Sequence, residues 1–357
     1  MINSNLNLNL KNISISFIFF IIFFALIDFL VSKFFLKSEY STVGEINETY
    51  HHTLKKNLDN DTMFGSLKYR LCTNNFGLKI SCKNLQKNQK EFKYAFIGDS
   101  FTEGVGFSYE KTFVGVFDKE FKKSINLAVS SYSNAIYYSK IYDLIERNNF
   151  KFEEVILFFD NTDIIQDENY ALDKNIKVIE KSIEEKKHIN DPQQRTFLRQ
   201  LIHDNFKITK SVYINFIRNI FFKDSLRALN DEYIKFTFSN KTDFLQNDID
   251  VSIDNSFSFL YELRNYLKLK NIKFNIAIYP HPTQLKYDRR NSKMVKKMKE
   301  FCLENCDSLI NYYDFFFDEV DQIGYMKTYE KYWILSDIHL NEVGHKFIAN
   351  KLISKLN

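Results

Sequence analysis

From Lys93 onward, short apolar runs alternate with stretches of helical spacing. The runs are Lys93–Ile97 (KYAFI), Ser124–Val129, Glu154–Phe159 (EVILFF), Lys273–Tyr279 and Leu309–Tyr313. EVILFF has no polar alternation, which suits a strand buried on both faces of a parallel sheet. Between the runs, Lys111–Lys123, Asn134–Asn149, Ser258–Leu267, Ser292–Asn305 and Asn341–Leu356 read as helices. Strand–helix alternation of this kind predicts a doubly wound α/β layer. The alternation stops between about residues 164 and 257. There Asp173–Lys187 and Gln194–Leu229 place apolar residues at helical spacing, and a largely helical insertion is expected. Within it, Tyr213–Phe222 (YINFIRNIFF) is apolar enough to lie against the core or against a membrane surface. Residues 38–91 are polar and rich in turn residues. They read as an extended stalk and a small subdomain, with a strand ending in a turn at Tyr69–Gly77.

The first 37 residues form a separate region. Ile13–Leu36 is apolar apart from Asp28 and Lys33, and roughly 20 such residues cross one bilayer. Lys33 lies near the end and can snorkel to the headgroups, whereas Asp28 is a cost unless it meets an interface or a partner. A cleaved signal peptide is the alternative. The apolar stretch is long for one, and no small-x-small cleavage site follows. The expectation is therefore a single N-terminal span, residues 1–37, that stays attached to the chain.

Composition adds little about partners. The 357 residues are 45% hydrophobic and carry a net charge of +4, with both signs interspersed. No basic patch marks a nucleic-acid footprint. The charges flanking the span do not favour an outward C-terminal domain. The cysteines point the other way: Cys72, Cys82, Cys302 and Cys306 form two close pairs, as disulfides in an oxidising compartment would. Cys302 and Cys306 would sit one helical turn apart, an awkward geometry for a bridge. A zinc site or free buried thiols are the other readings, although the spacings match no usual zinc pattern.

Candidate chemistry lies at two distant points. Gly98-Asp99-Ser100 follows the first strand and puts a serine where open α/β sheets place their active sites. Asp337-Ile338-His339 precedes the last helix. A serine hydroxyl needs a base, His suits that task near neutral pH, and a carboxylate orients the imidazole. Asp99 can hold the nucleophile turn through nearby backbone N–H groups. His281, after the fourth core strand, either lines the pocket or serves the loop. His51 and His52 receive no catalytic role. Asp160, Asp163, Asp167 and Glu168 read as a solvated or hydrogen-bonding acidic loop, and no His or Cys accompanies them as metal ligands.

Taken in order, these blocks resemble the SGNH (GDSL-like) hydrolase superfamily over roughly residues 92–357, less the insertion at about 164–257. The blocks are Gly98-Asp99-Ser100, Asn126 to Ser133 (NLAVSSYS), Phe159-Asp160-Asn161-Thr162-Asp163 and Asp337-Ile338-His339. The resemblance implies a flavodoxin-like sheet of about five parallel strands and ester hydrolysis without cofactor or metal. Ser100 would be the nucleophile, His339 the base and Asp337 its partner. The oxyanion donors would be the Ser100 and Ser131 N–H groups with Thr162 or Asn161. Ser131 stands where the family has a glycine, and Thr162 where it has an asparagine. Losing one oxyanion donor costs about 3 kcal/mol of transition-state stabilisation. The Asp-x-His spacing is similar to that of the membrane-linked branch that acetylates or deacetylates surface polysaccharides. Ser336 holds the family's other position for the aspartate. The resemblance thus implies an anchored, exported domain acting on an acylated carbohydrate. O-acetyl transfer to a glycan, or glycan binding by a retired site, are the alternatives.

Overall fold

The computed structural model describes residues 2–34, 43–65, 67–83, 88–181, 206, 208–209 and 248–356. The chain divides into two compact units, residues 1–42 with 190–225, and residues 43–189 with 226–357.

In the first unit, helix α1 (Ile2–Phe34) contains Ile15–Ser32, a stretch of mean hydropathy 2.7 that is long and apolar enough to cross a membrane. A carboxylate in such a helix is tolerated only where hydrogen bonds replace its water. Asp28 accepts four: from Ser32 Oγ (2.8 Å), the backbone N–H groups of Ile208 (3.0 Å) and Thr209 (2.7 Å), and Thr209 Oγ1 (2.6 Å). Phe206 packs against Phe29 beside them. Apart from Phe206, Ile208 and Thr209, the expected helix at Gln194–Leu229, with Tyr213–Phe222, lies outside the described residues.

The second unit is built on one sheet. Its parallel part comprises β6 (Glu91–Ile97), β7 (Ser124–Asn126), β8 (Lys151–Phe159), β11 (Lys273–Ile278) and β12 (Ser308–Asn311). The order β7-β6-β8-β11-β12 is the doubly wound flavodoxin-like arrangement. Both faces are covered, as the unalternating runs require. Ala95, Ile97, Val155, Leu157, Phe159, Ile276 and Ile278 enter one buried cluster. Their neighbours Tyr94, Phe96, Ile156, Phe158 and Ala277 enter the other. Each fully buried large side chain contributes roughly 1.5–3 kcal/mol by burial. The expected helices appear as α3 (Phe113–Phe121), α4 (Asn134–Tyr142), α6 (Ile249–Leu269), α8 (Lys293–Asn305) and α11 (Glu342–Leu356). Two more, α9 (Tyr312–Ile323) and α10 (Tyr325–Tyr332), lead to the Asp337–His339 segment.

Two expectations are corrected. Residues 59–80 join the main sheet: β3 (Asp59–Phe64), β4 (Leu67–Thr73) and β5 (Lys79–Ile80) extend it antiparallel beyond β7 to eight strands. The edge of β7 would otherwise stand open, and pairing there satisfies it. Within Asp173–Lys187, the described part is not helical. β9 (Tyr170–Leu172) and β10 (Val178–Glu180) form a hairpin whose turn is closed by Asp173 accepting from Asn175 and Lys177 N–H. Of the three readings of the cysteines, the disulfide one holds: Cys72 is bonded to Cys82 and Cys302 to Cys306. In the second, Cys306 is the extended residue that ends α8, and its Cα lies 4.6 Å from that of Cys302, within the range a bridge spans.

Candidate active site

The nucleophile turn is forced by packing. Beyond β6, a Cβ on Gly98 would lie 2.3 Å from Thr102 Oγ1 and 3.0 Å from the Phe158 carbonyl, so only glycine fits. Helix α2 (Ser100–Glu103) starts at once, with Asp99 as its cap accepting from Phe101 N–H at 2.9 Å. Ser100 therefore sits at a helix start, at the carboxyl edge of the sheet, with its own N–H free of intrahelical bonding.

The second half of the site is held by Tyr329 and Trp333. Tyr329 Oη donates to the Asp337 carbonyl at 2.9 Å and accepts from Asp337 N–H at 3.2 Å. Buried Trp333 bridges to Leu340 across the loop. The loop delivers His339 to Ser100: Nε2 lies 2.8 Å from Ser100 Oγ, and Nδ1 lies 2.6 Å from Asp337 Oδ1. His339 N–H donates to the same carboxylate oxygen at 3.0 Å. Burial opposes ionisation of Asp337, but the hydrogen bonds and charge of His339 outweigh it and hold the carboxyl below its usual range. The imidazole packs between the Phe101 and Phe64 rings, at centroid distances of 4.9 and 5.0 Å. Phe64 comes from β3, which the sequence reading had placed away from the site.

The oxyanion blocks differ from expectation. Ser131 adopts φ 64°, the left-handed conformation that suits the glycine it replaces. It is exposed, and among the described residues its N–H donates to no protein group. The turn around it is fastened by Glu103, whose carboxylate accepts from Ser130 N–H (2.7 Å) and Ser130 Oγ (2.8 Å). Thr162 is not available: its N–H and Oγ1 both donate to Asp160 Oδ1, at 2.6 and 2.5 Å, capping α5 (Asn161–Asp167). Asn161 is fully buried at the first position of that helix.

Asp99 and His281, read as possible pocket-lining residues, have almost no exposed surface. Both are buried behind the nucleophile in a network centred on Asp160. Tyr279 Oη donates between Asp99 (3.2 Å) and Asp160 (3.0 Å), and His281 Nε2 lies 3.2 Å from Asp160. Burial and the Asp160 charge push the Asp99 carboxyl well up. Burial also opposes charge on Asp160, but His281 and the Thr162 bonds keep its carboxyl low. The acidic loop is likewise a buried network rather than a solvated one. Asp163 accepts from Tyr137 Oη (2.8 Å), and Asp167 accepts from Asn134 Nδ2, Ala135 N–H and Ser256 Oγ. Among the described residues, the one His/Cys/Asp/Glu group with converging ligand atoms is Asp59, Cys72 and Cys82, whose sulfurs are bonded to each other.

Burial raises the Asp167 carboxyl to about 6. A carboxyl raised in the fold stabilises it at low pH, where both states are protonated alike or the fold holds the proton better. That contribution is lost as pH rises from about 4, the unfolded value, through about 6. The difference is of the order of 2–3 kcal/mol. Thermal melts should therefore fall between about pH 4 and pH 7, and Asp167→Asn should flatten that slope. An unchanged slope in the variant would place the proton elsewhere.

Fold and site together define a class: a doubly wound α/β protein with a serine–histidine–aspartate arrangement at the carboxyl end of its sheet. No family model matches the chain, and no curated protein matches its sequence. Solved structures similar to it include the acetyl xylan esterase AlAXEase, at 14% identity, TM-score 0.42, and coverage of 74% of this chain and 100% of that one. A catalytic mutant of Axe2, an acetylxylan esterase from Geobacillus stearothermophilus, matches at 10% identity and TM-score 0.42, over 74% and 94% of the two chains. The psychrotrophic esterase EstA from Pseudoalteromonas sp. matches at 12% identity and TM-score 0.37, over 75% and 97%. These likenesses are distant.

Proposed function

We propose that this chain is a serine ester hydrolase that works through an acyl-enzyme and removes O-acyl groups from a surface glycan. The observation that carries the reading is the unbroken bond chain Ser100 Oγ–His339 Nε2 (2.8 Å) and His339 Nδ1–Asp337 (2.6 Å). In the first step, Ser100 Oγ attacks the ester carbonyl and His339 Nε2 takes its proton. The oxyanion faces the Ser100 and Ser131 N–H groups. Collapse breaks the ester C–O bond, and His339 returns the proton to the departing sugar alcohol. Water, deprotonated by His339, then attacks the acyl-Ser100 carbonyl. This releases the carboxylic acid and restores the serine. Asp337 orients the ring and stabilises its protonated form. The apolar α1 and two disulfides support an anchored domain in an oxidising compartment.

The glycan target rests on the Asp-x-His resemblance and the apolar helix, which also fit acetyl transfer to a glycan hydroxyl. Purified full-length protein should release acetate from an O-acetylated polysaccharide, and a deletion strain should carry more glycan-bound acetate. Less glycan acetate in the deletion strain would make the chain a transferase. Unchanged acetate together with no release in vitro would remove the glycan from the proposal.

A further inference from the structure

Near the Ser130–Ser131 turn, two small hairpins meet at a pair of histidines. One hairpin is β1 (Gly44–Asn47) with β2 (His51–Leu54), and the other is β9 with β10. They are joined where Val178 N–H donates to the Thr49 carbonyl at 2.8 Å. His52 Nε2 lies 2.7 Å from the Ser130 carbonyl, the residue before the proposed oxyanion donor Ser131. His52 Nδ1 lies 2.7 Å from His51 Nδ1, and His51 Nε2 lies 2.7 Å from Glu180 Oε1. His51 holds φ 73°, a left-handed conformation that a non-glycine residue adopts at a cost, and one that persists where the surroundings enforce it.

We infer that His52 is a positioning residue for the oxyanion turn, locked in one tautomer by a doubly protonated His51 that Glu180 holds. This inference rests on the ester-hydrolase reading for its catalytic consequence, but not for its geometry. Burial keeps the His52 imidazole neutral, and the donor and acceptor count then sets the remaining protons. The Ser130 carbonyl only accepts, so His52 Nε2 carries a proton. Neutral His52 then offers a lone pair at Nδ1, and His51 Nδ1 must donate to it. The Glu180 carboxylate only accepts, so His51 Nε2 is also protonated. His51 is thus an imidazolium, half-buried, with its counter-ion on the solvent side.

The neighbouring groups agree with that assignment. Burial lowers the His52 imidazole to about 4. The Ser130 bond opposes this, while the charges of His51 and Lys140 add to it. Lys140 is itself buried on α4 and donates to Tyr132 Oη at 3.0 Å, and that hydroxyl donates to the His52 carbonyl at 2.7 Å. Tyr170 on β9 meets the His51 ring edge-on at 5.4 Å. Glu103 on α2 grips Ser130 from the other side. The Ser130–Ser131 turn is therefore held between Glu103 and His52. Without the His51 Nδ1 proton the relay would lose one bond, and His52 would be free to exchange tautomers.

The test uses the full-length protein in detergent, labelled with 15N-histidine, alongside turnover of p-nitrophenyl acetate. At pH 7 the His52 ring should be the neutral Nε2–H tautomer and His51 doubly protonated. Glu180→Gln should leave His51 neutral and His52 exchanging between its two tautomers. His52→Ala should lower kcat by about 10- to 100-fold with KM little changed. His52→Gln, whose amide can donate to the Ser130 carbonyl, should restore most of it. A neutral His51 or an Nδ1–H His52 in the wild-type spectra overturns the relay, whatever the state of Ser100. The expected spectra with unchanged kcat in His52→Ala overturn the positioning role. The expected spectra with no wild-type turnover and no Ser100 labelling uphold the relay and overturn the ester-hydrolase reading.

Discussion

Replacing Ser100 with alanine is expected to abolish covalent labelling by a fluorophosphonate probe and to lower kcat for p-nitrophenyl acetate by at least about 10⁴-fold. The substitution removes one oxygen and its 3.3 Å bond to Asp99, yet α2 keeps its cap, because Asp99 also accepts from Phe101 N–H at 2.9 Å. The protein should therefore fold and melt as before, and the loss would belong to chemistry. It should also exceed any loss at the oxyanion donors. Without the oxygen there is no acyl-enzyme, whereas without one donor the intermediate is only less well held. Undiminished hydrolysis in Ser100→Ala, or a probe bond formed elsewhere, would remove the serine from the mechanism.

Asp337→Asn is the second large effect, expected at about 10³- to 10⁴-fold in kcat with a small change in KM. The carboxylate accepts both the His339 ring N–H and its backbone N–H on one oxygen. An asparagine at that point can present its NH₂ to the ring. This favours the tautomer with its proton on Nε2, where the base needs a lone pair. The effect on stability has its own signature. A carboxyl held below its unfolded value stabilises the fold above about pH 4 and loses that contribution as pH falls further. The wild type should lose more stability than the variant on acidification below about pH 4. Equal activity in the two proteins would mean that Asp337 does not orient the base.

The sequence pattern located the parallel sheet because its strands are buried on both faces. An apolar run such as EVILFF has few other uses in a chain of this size. The antiparallel extension was not legible. β3 shows Asp59, Asn60 and Asp61 to solvent and has little apolar signal. β5 is two residues long and includes a buried lysine, Lys79, whose ammonium donates to the Gly104 and Phe107 carbonyls. The serine and histidine were legible because their flanking elements were. Their support was not. Tyr279, Glu103, Phe64 and His52 act through contacts 27 to 180 residues away in sequence for the first two, and through ring packing or a backbone carbonyl for the others. The Thr162 expectation failed for a local reason. Its neighbour Asp160 caps α5, and a cap claims a hydroxyl two residues away more readily than a distant substrate does.

The antiparallel strands also change what counts as the catalytic body. A boundary drawn at residue 92, where the resemblance begins, would cut β5 from β7 and take away Phe64, one of the two rings that brace His339. It would also leave an unpaired strand edge next to the nucleophile turn, where a second molecule could add a strand and aggregate. It would remove both hairpin histidines as well. For expression, mutational scanning or comparison with distant homologues, the indivisible piece starts at Val43, immediately past the segment that follows the apolar helix. Insertions engineered between Val43 and Ser81 should be treated as changes to the active-site wall, not to a tether.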